Sequence, residues 1–141
     1  MAIIVRDVRE QELDSVLALN NAAGSSILAL DSAAILQHFA RAAYFRVAEV
    51  DGLLAGFLIA YTPDADYDSP NFLWFRERYP RFVYVDRIAV DPSSRGRGHA
   101  RRLYEELFSA ARAAGHDIVV CEVNSQPPNP ASDAFHAALG F

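Results

Sequence analysis

Phe82-Val83-Tyr84-Val85-Asp86-Arg87-Ile88-Ala89-Val90, followed after four residues by Arg95-Gly96-Arg97-Gly98-His99-Ala100, is the stretch whose reading decides the fold. The first run has the apolar, β-branched make-up of a strand. Beyond the second, Ala100, Leu103, Tyr104, Leu107, Phe108 and Ala111 recur at helical spacing as far as about Ala114, and Gly115 is a suitable stop. A strand that passes through a glycine-rich turn into a helix N-terminus makes an anion site. The first helical N–H groups there have no intrahelical partners, and the helix dipole adds partial positive charge. An apolar run from His116 or Asp117 to Val123 reads as the next strand. Strand, helix, strand of this kind demands a parallel pair with a right-handed crossover, both strands central because they are so apolar.

Outward from this unit, Ile3 to Arg6 reads as a first strand, and Asp7-Val8-Arg9-Glu10 has capping-box spacing for a helix carrying Leu13, Val16 and Leu17. Asp31 suits the N-cap of a second helix with Ile35, Leu36, Phe39, Ala40 and Ala43 on one stripe. Tyr44 to Val50 and Leu53 to Tyr61 read as strands joined at Asp51-Gly52, a hairpin signal. Thr62 to Arg81 is a long connection with a short helix from Asn71 to Arg78, and connections of this length are often functional. A last helix runs from the Asn129-Pro130 cap to Gly140.

At 141 residues and 52% hydrophobic, the chain has the size and composition of one globular domain, residues 1–141. Its net charge of −5 argues against nucleic-acid or membrane partners, which need a basic surface. The single cysteine, Cys121, allows no internal disulfide and suits a reducing compartment. With no bilayer-length apolar stretch and no leader pattern after Met1, a cytoplasmic location is expected. Asp64, Asp66 and Asp68 alternate, but Ser69 and Phe75 stand where a calcium loop needs Gly and Glu, so no metal is expected.

Taken alone, the glycine turn is either a tight turn or an anion cradle. A P-loop would need Lys-Ser or Lys-Thr after the glycines, and the three-glycine dinucleotide spacing is incomplete, which argues against a nucleoside triphosphate or NAD. Arg95, Gly98 and Ala100 match the acetyl-CoA signature of the GNAT superfamily of N-acetyltransferases: Arg or Gln, two residues, Gly, one residue, then Gly or Ala. Ile88-Ala89-Val90-Asp91-Pro92 resembles the strand end before that signature, and Asn129, Ser132, Phe135, His136, Leu139, Gly140 and Phe141 resemble the family's later helix motif. Tyr67-Asp68-Ser69-Pro70-Asn71-Phe72 and Tyr84-Val85-Asp86-Arg87 look like a poorly characterised bacterial branch.

The resemblance implies an α/β fold, a central mixed sheet with helices on both faces, and acetyl-CoA as donor to the amine of a small molecule or peptide. It places the CoA pyrophosphate on the backbone from Arg95 through Gly96, Arg97, Gly98 and His99 to Ala100, with the pantetheine along Ile88, Ala89 and Val90 and touching Asn129 and Ser132. His99 is expected to offer its N–H and little else. Stepping back from Val90 to Asp86 or Tyr84 covers roughly 13 to 20 Å, which brings those side chains near the thioester end of an extended donor.

By the strand's period of two, Tyr84, Asp86, Ile88 and Val90 share one face and Arg87 the other. Asp86 and Glu122 are the two candidates for the base that takes the amine's proton. The ordinary alternative for each is a salt bridge, with Arg87 or Arg101. His136 stands where the family often has the tyrosine that protonates the departing thiolate, and Tyr104 or Tyr84 are substitutes. Tyr67, Phe72, Trp74, Phe75 and Tyr79 suggest either the mouth of an acceptor site or, slightly favoured, a hydrophobic cluster pinning the acidic connection.

Against catalysis stands a non-catalytic acyl-CoA-binding or interaction module. The family continues past Gly-Phe with one or two strands that wall the acceptor site. The expectation from Phe141 is therefore either a truncated record or a partner chain, such as the second copy of a homodimer, over the exposed edge.

Overall fold

The computed structural model describes residues 3–22, 31–91, 98–116 and 118–121. Strand β1 (Ile3–Asp7) leads through a 3-10 turn into α1 (Leu13–Asn21), then come α2 (Ser32–Arg41), β2 (Tyr44–Val50), β3 (Leu53–Tyr61), α3 (Pro70–Arg78), β4 (Val83–Val90), α4 (His99–Ala113) and β5 (Val119–Cys121). The sheet order is β1-β2-β3-β4-β5, with β1 to β4 antiparallel and β5 parallel to β4. This is a mixed sheet with helices on both faces. Among the described residues β5 lies at the end of the order, whereas its apolar sequence predicts a central place. Residues 122–141 lie outside the described residues.

Two cores follow from the two faces. One gathers Leu13, Val16 and Leu19 of α1, Ile35 of α2, Phe72 of α3, and Phe57, Ile59, Tyr61, Phe82 and Tyr84 at the sheet. The other places Leu103, Tyr104, Leu107 and Ala111 of α4 against Ala48, Leu58, Ala60, Val83 and Val85. Gly56 lets the second face close. A Cβ there would lie 2.8 Å from the Ala89 carbonyl oxygen and 3.5 Å from Leu103 Cδ1, so any larger residue forces β3 and β4 or α4 apart.

Local chemistry sets most boundaries where the sequence predicts them. Asp31 caps α2 by accepting from the Ala34 N–H at 2.8 Å, and Asp51 and Gly52 both take positive φ at the hairpin. Two details differ. The first helical segment starts later than the Asp7 capping box implies, because Asp7 completes β1 and Arg9 is the cap, its N–H donating to Glu12 Oε1 at 2.9 Å. The buried stripe of α2 is also rotated: Ile35 and His38 are buried, whereas Leu36 is 50% exposed.

Arg6 fastens this corner. Its guanidinium donates to both carboxylate oxygens of Glu12, at 2.8 and 2.7 Å, and to Glu49 of β2 at 2.8 Å. The paired arginine holds the Glu12 carboxyl down to about 2 from its ordinary 4.5. A group lowered in this way stabilises the fold above its unfolded value, and the contribution is lost as pH falls toward the folded one. Glu12→Gln is expected to cost about 1–2 kcal/mol at neutral pH by denaturant unfolding. The gap to wild type should narrow as pH falls from 4.5 toward about 2.

Candidate active site

A bulge in β4 builds the site. Ile59 of β3 pairs with Arg87 and the next residue, Ala60, pairs with Val85, so Asp86 is an extra residue outside that register. The bulge corrects the simple period of two. Before it Phe82 and Tyr84 face α1 and Val83 and Val85 face α4; after it Ala89 faces α1 and Ile88 faces α4. Asp86 and Arg87 therefore lie on the same side, toward α1, instead of on opposite faces.

Their side chains are 6% and 8% exposed and meet at 2.7 Å, Arg87 Nε donating to Asp86 Oδ2. Burying an ion pair is tolerable only when the remaining hydrogen-bonding capacity is used. Arg87 Nη1 donates to Asn20 Oδ1 on α1 at 3.0 Å, and the Tyr67 hydroxyl, from the β3-to-β4 connection, donates to Asp86 Oδ1. The salt bridge weighed for Asp86 is thus present, with Arg87 and not Arg101.

Tyr67 is held by aromatic packing. Its ring stacks on Tyr61 at 4.0 Å between centroids with 5° between planes, and Phe72 lies 5.5 Å away. His38 joins from α2, its Nδ1 within 2.5 Å of the Tyr61 hydroxyl and its ring edge-on to Tyr67 at 5.8 Å. Burial pushes His38 below its ordinary value and pushes both tyrosines well above theirs, so all three are neutral near pH 7. The aromatic residues of the connection are split. Tyr67, Phe72 and Phe75 pack with the core, as the cluster reading favours, while Trp74 and Tyr79 are exposed.

Tyr84 sits in this aromatic core, ring centroids 6.0 Å from Phe72 and 5.8 Å from Phe75. Tyr104 lies in the other core beside Phe108. Ile88 and Val90 are half-buried and Ala89 is buried. At the helix end of the unit, Gly98 caps α4 with φ 81°, and among the described residues nothing lies within 4 Å of where a Cβ would sit. Only glycine adopts that backbone freely.

His99 departs from the expectation of a backbone role alone. Its ring is 5% exposed on the stripe of α4 that carries Leu103, Leu107 and Ala111, and its Nδ1 has no hydrogen-bond partner among the described residues. Ala100 is half-buried next to it. Arg95, Gly96, Arg97, Glu122, Asn129, Ser132 and His136 lie outside the described residues. The structure thus brings Asp86, Arg87 and Tyr67 together and adds Asn20, Tyr61 and His38. A histidine three residues after Ile35, on the helix's apolar side, was the one signal for His38 in the sequence.

The family model for GNAT acetyltransferases matches residues 13–141. The chain belongs to that family. Among relatives of this GNAT chain, the L-2,4-diaminobutyric acid acetyltransferase of Nocardia farcinica is 38% identical over 66% of the chain and 40% of its own length. An L-amino acid N-acyltransferase of Escherichia coli is 34% identical over 67% of the chain and 48% of its own length. The chain spans about half or less of the length of these relatives. In fold it is similar to AAC(6')-Iy solved with the bisubstrate analogue CoA-S-monomethyl-acetylneamine. The TM-score is 0.75 at 23% identity, covering 100% of this chain and 91% of that one. Among the described residues no helix is long and apolar enough to cross a membrane.

His38 gives the site a pH signature. Because burial lowers its folded value below 6.5, the fold loses stability as pH falls through that range and the unfolded chain takes up a proton the native state resists. Melting temperature is expected to fall more steeply between pH 7.5 and 5.5 for wild type than for His38→Gln.

Proposed function

We propose that this chain transfers an acetyl group from acetyl-CoA to the primary amine of a small, amino-acid-like acceptor, by direct attack within a ternary complex. The observation that carries this reading is Gly98, left-handed and with no described residue within 4 Å of where a side chain would be, at the N-terminus of α4 in the unit that follows β4. Such a terminus offers unpaired N–H groups and partial positive charge to a phosphate. The relatives named for diaminobutyric acid and L-amino acids, and the structure solved with a CoA bisubstrate analogue, support the donor and the class of acceptor.

On this reading the backbone from Arg95 to Ala100 holds the pyrophosphate, and Ile88, Ala89 and Val90 line the pantetheine arm, with Asn129 and Ser132 meeting it. The amine nitrogen attacks the thioester carbonyl carbon, and strand backbone N–H stabilises the carbonyl oxygen as charge develops. A bulge suits that task, because its extra residue stands outside the ladder. Asp86 is the proton acceptor, with Glu122 the second candidate. Tyr84 and Tyr104 are core side chains, which favours His136 as the group that protonates the departing thiolate.

Two variants separate the cradle from general instability. Gly98→Ala introduces the left-handed strain alone, roughly 1–2 kcal/mol. Gly98→Asp adds a negative charge beside the phosphates and should weaken CoA binding by calorimetry at least 100-fold more than the alanine variant. Equal affinities in folded protein would overturn the cradle. In a coupled thiol-release assay, L-2,4-diaminobutyrate and other L-amino acids should be turned over faster than an aminoglycoside or a peptide N-terminus.

A further inference from the structure

Asp86 is enclosed. Its side chain is 6% exposed, Arg87 Nε occupies Oδ2 at 2.7 Å, and the Tyr67 hydroxyl occupies Oδ1. The two partners differ in what they can pass on. A guanidinium has five donors and no acceptor, so it can neither take a proton from an incoming ammonium nor hand one inward. A phenol both donates and accepts. Tyr67 is half-buried and belongs to the connection after β3, whereas the Arg87 guanidinium is turned toward Asn20 of α1.

We propose that Tyr67 is a catalytic proton relay, the group that touches the acceptor amine and passes its proton to the buried carboxylate of Asp86. The inference rests on the acetyl-transfer reading. As the nitrogen–carbon bond forms and the carbon–sulfur bond breaks, the nitrogen's proton moves to Tyr67 Oη while the phenolic proton moves to Asp86 Oδ1. The thiolate leaves with the sulfur electron pair and is protonated separately. Tyr67 thus ends each transfer as a neutral phenol, and Asp86 later returns the proton to solvent by the same route.

The surroundings fit a relay. The stack on Tyr61 at 4.0 Å, the Phe72 ring and the edge of His38 fix the Tyr67 ring, which holds the hydroxyl on the carboxylate. Proton transfer needs that fixed geometry more than it needs burial. Phenylalanine at this position preserves every ring contact and removes only the hydroxyl.

The test is steady-state kinetics of Tyr67→Phe, Asp86→Asn and the double variant with acetyl-CoA and the best amine of the panel, alongside CoA binding and thermal melting. Tyr67→Phe is expected to lower kcat about 100-fold, with the KM for acetyl-CoA and the CoA affinity within twofold of wild type. The double variant should be no slower than Asp86→Asn alone, because both changes cut one path. A Tyr67→Phe enzyme that keeps more than half of wild-type kcat, or a double variant whose losses multiply, overturns the relay alone. A wild-type chain that binds CoA and acetylates no amine overturns the acetyl-transfer reading, and the relay with it.

Discussion

Asp86 and Arg87 are neighbours in sequence that project to the same side of β4, because the strand holds one residue more than β3 at that point. Without the bulge one charge would enter the core under α1 and the other the core under α4, each with no partner. With it, the two charges neutralise each other under one layer of helices, and Asn20 and Tyr67 use their remaining capacity. Position and chemistry are coupled here: the irregularity that reverses the faces of β4 also draws the β3-to-β4 connection onto the Asp86 carboxylate and the end of α1 onto the Arg87 guanidinium. An unpartnered buried charge is costly enough to make this geometry far preferable to a regular strand.

The aromatic residues explain how so long a connection keeps a defined place. Tyr67 and Phe72 pack into the core beside Tyr61 and Tyr84, so the segment after β3 is anchored at two points separated by one helical start. Arg78 lies over the Trp74 ring at 3.9 Å, covering part of the apolar surface that α3 leaves exposed. The carboxylate, the neutral histidine and the stacked phenols then form one polar seam inside an otherwise apolar layer, with Tyr67 joining the rings to the carboxylate.

The elements whose signals are local were legible in the sequence. β2, β3 and their Asp51-Gly52 turn, the Asp31 cap of α2 and the helical run ending before Gly115 all depend on neighbouring residues, and the structure places them as read. What was not legible depends on pairing between distant segments. The alternation through Phe82 to Val90 contains no mark of a bulge, since the extra residue exists only relative to β3. His38 stands three residues after Ile35, but its partner Tyr61 comes 23 residues later and only the fold brings the two together. The candidate site was half visible for the same reason: Asp86 stood out as a carboxylate in an apolar strand, and Tyr67 belonged to a quoted motif, yet only the fold joins them.

A crystal structure with a CoA–amino acid bisubstrate analogue tests the central claim most directly. The pyrophosphate oxygens are expected within hydrogen-bond distance of the first N–H groups of α4 beside Gly98, and the nitrogen of the amino acid part within hydrogen-bond distance of Tyr67 Oη. An analogue whose pyrophosphate lies away from that helix end, or whose nitrogen is remote from both Tyr67 and Asp86, would contradict the account.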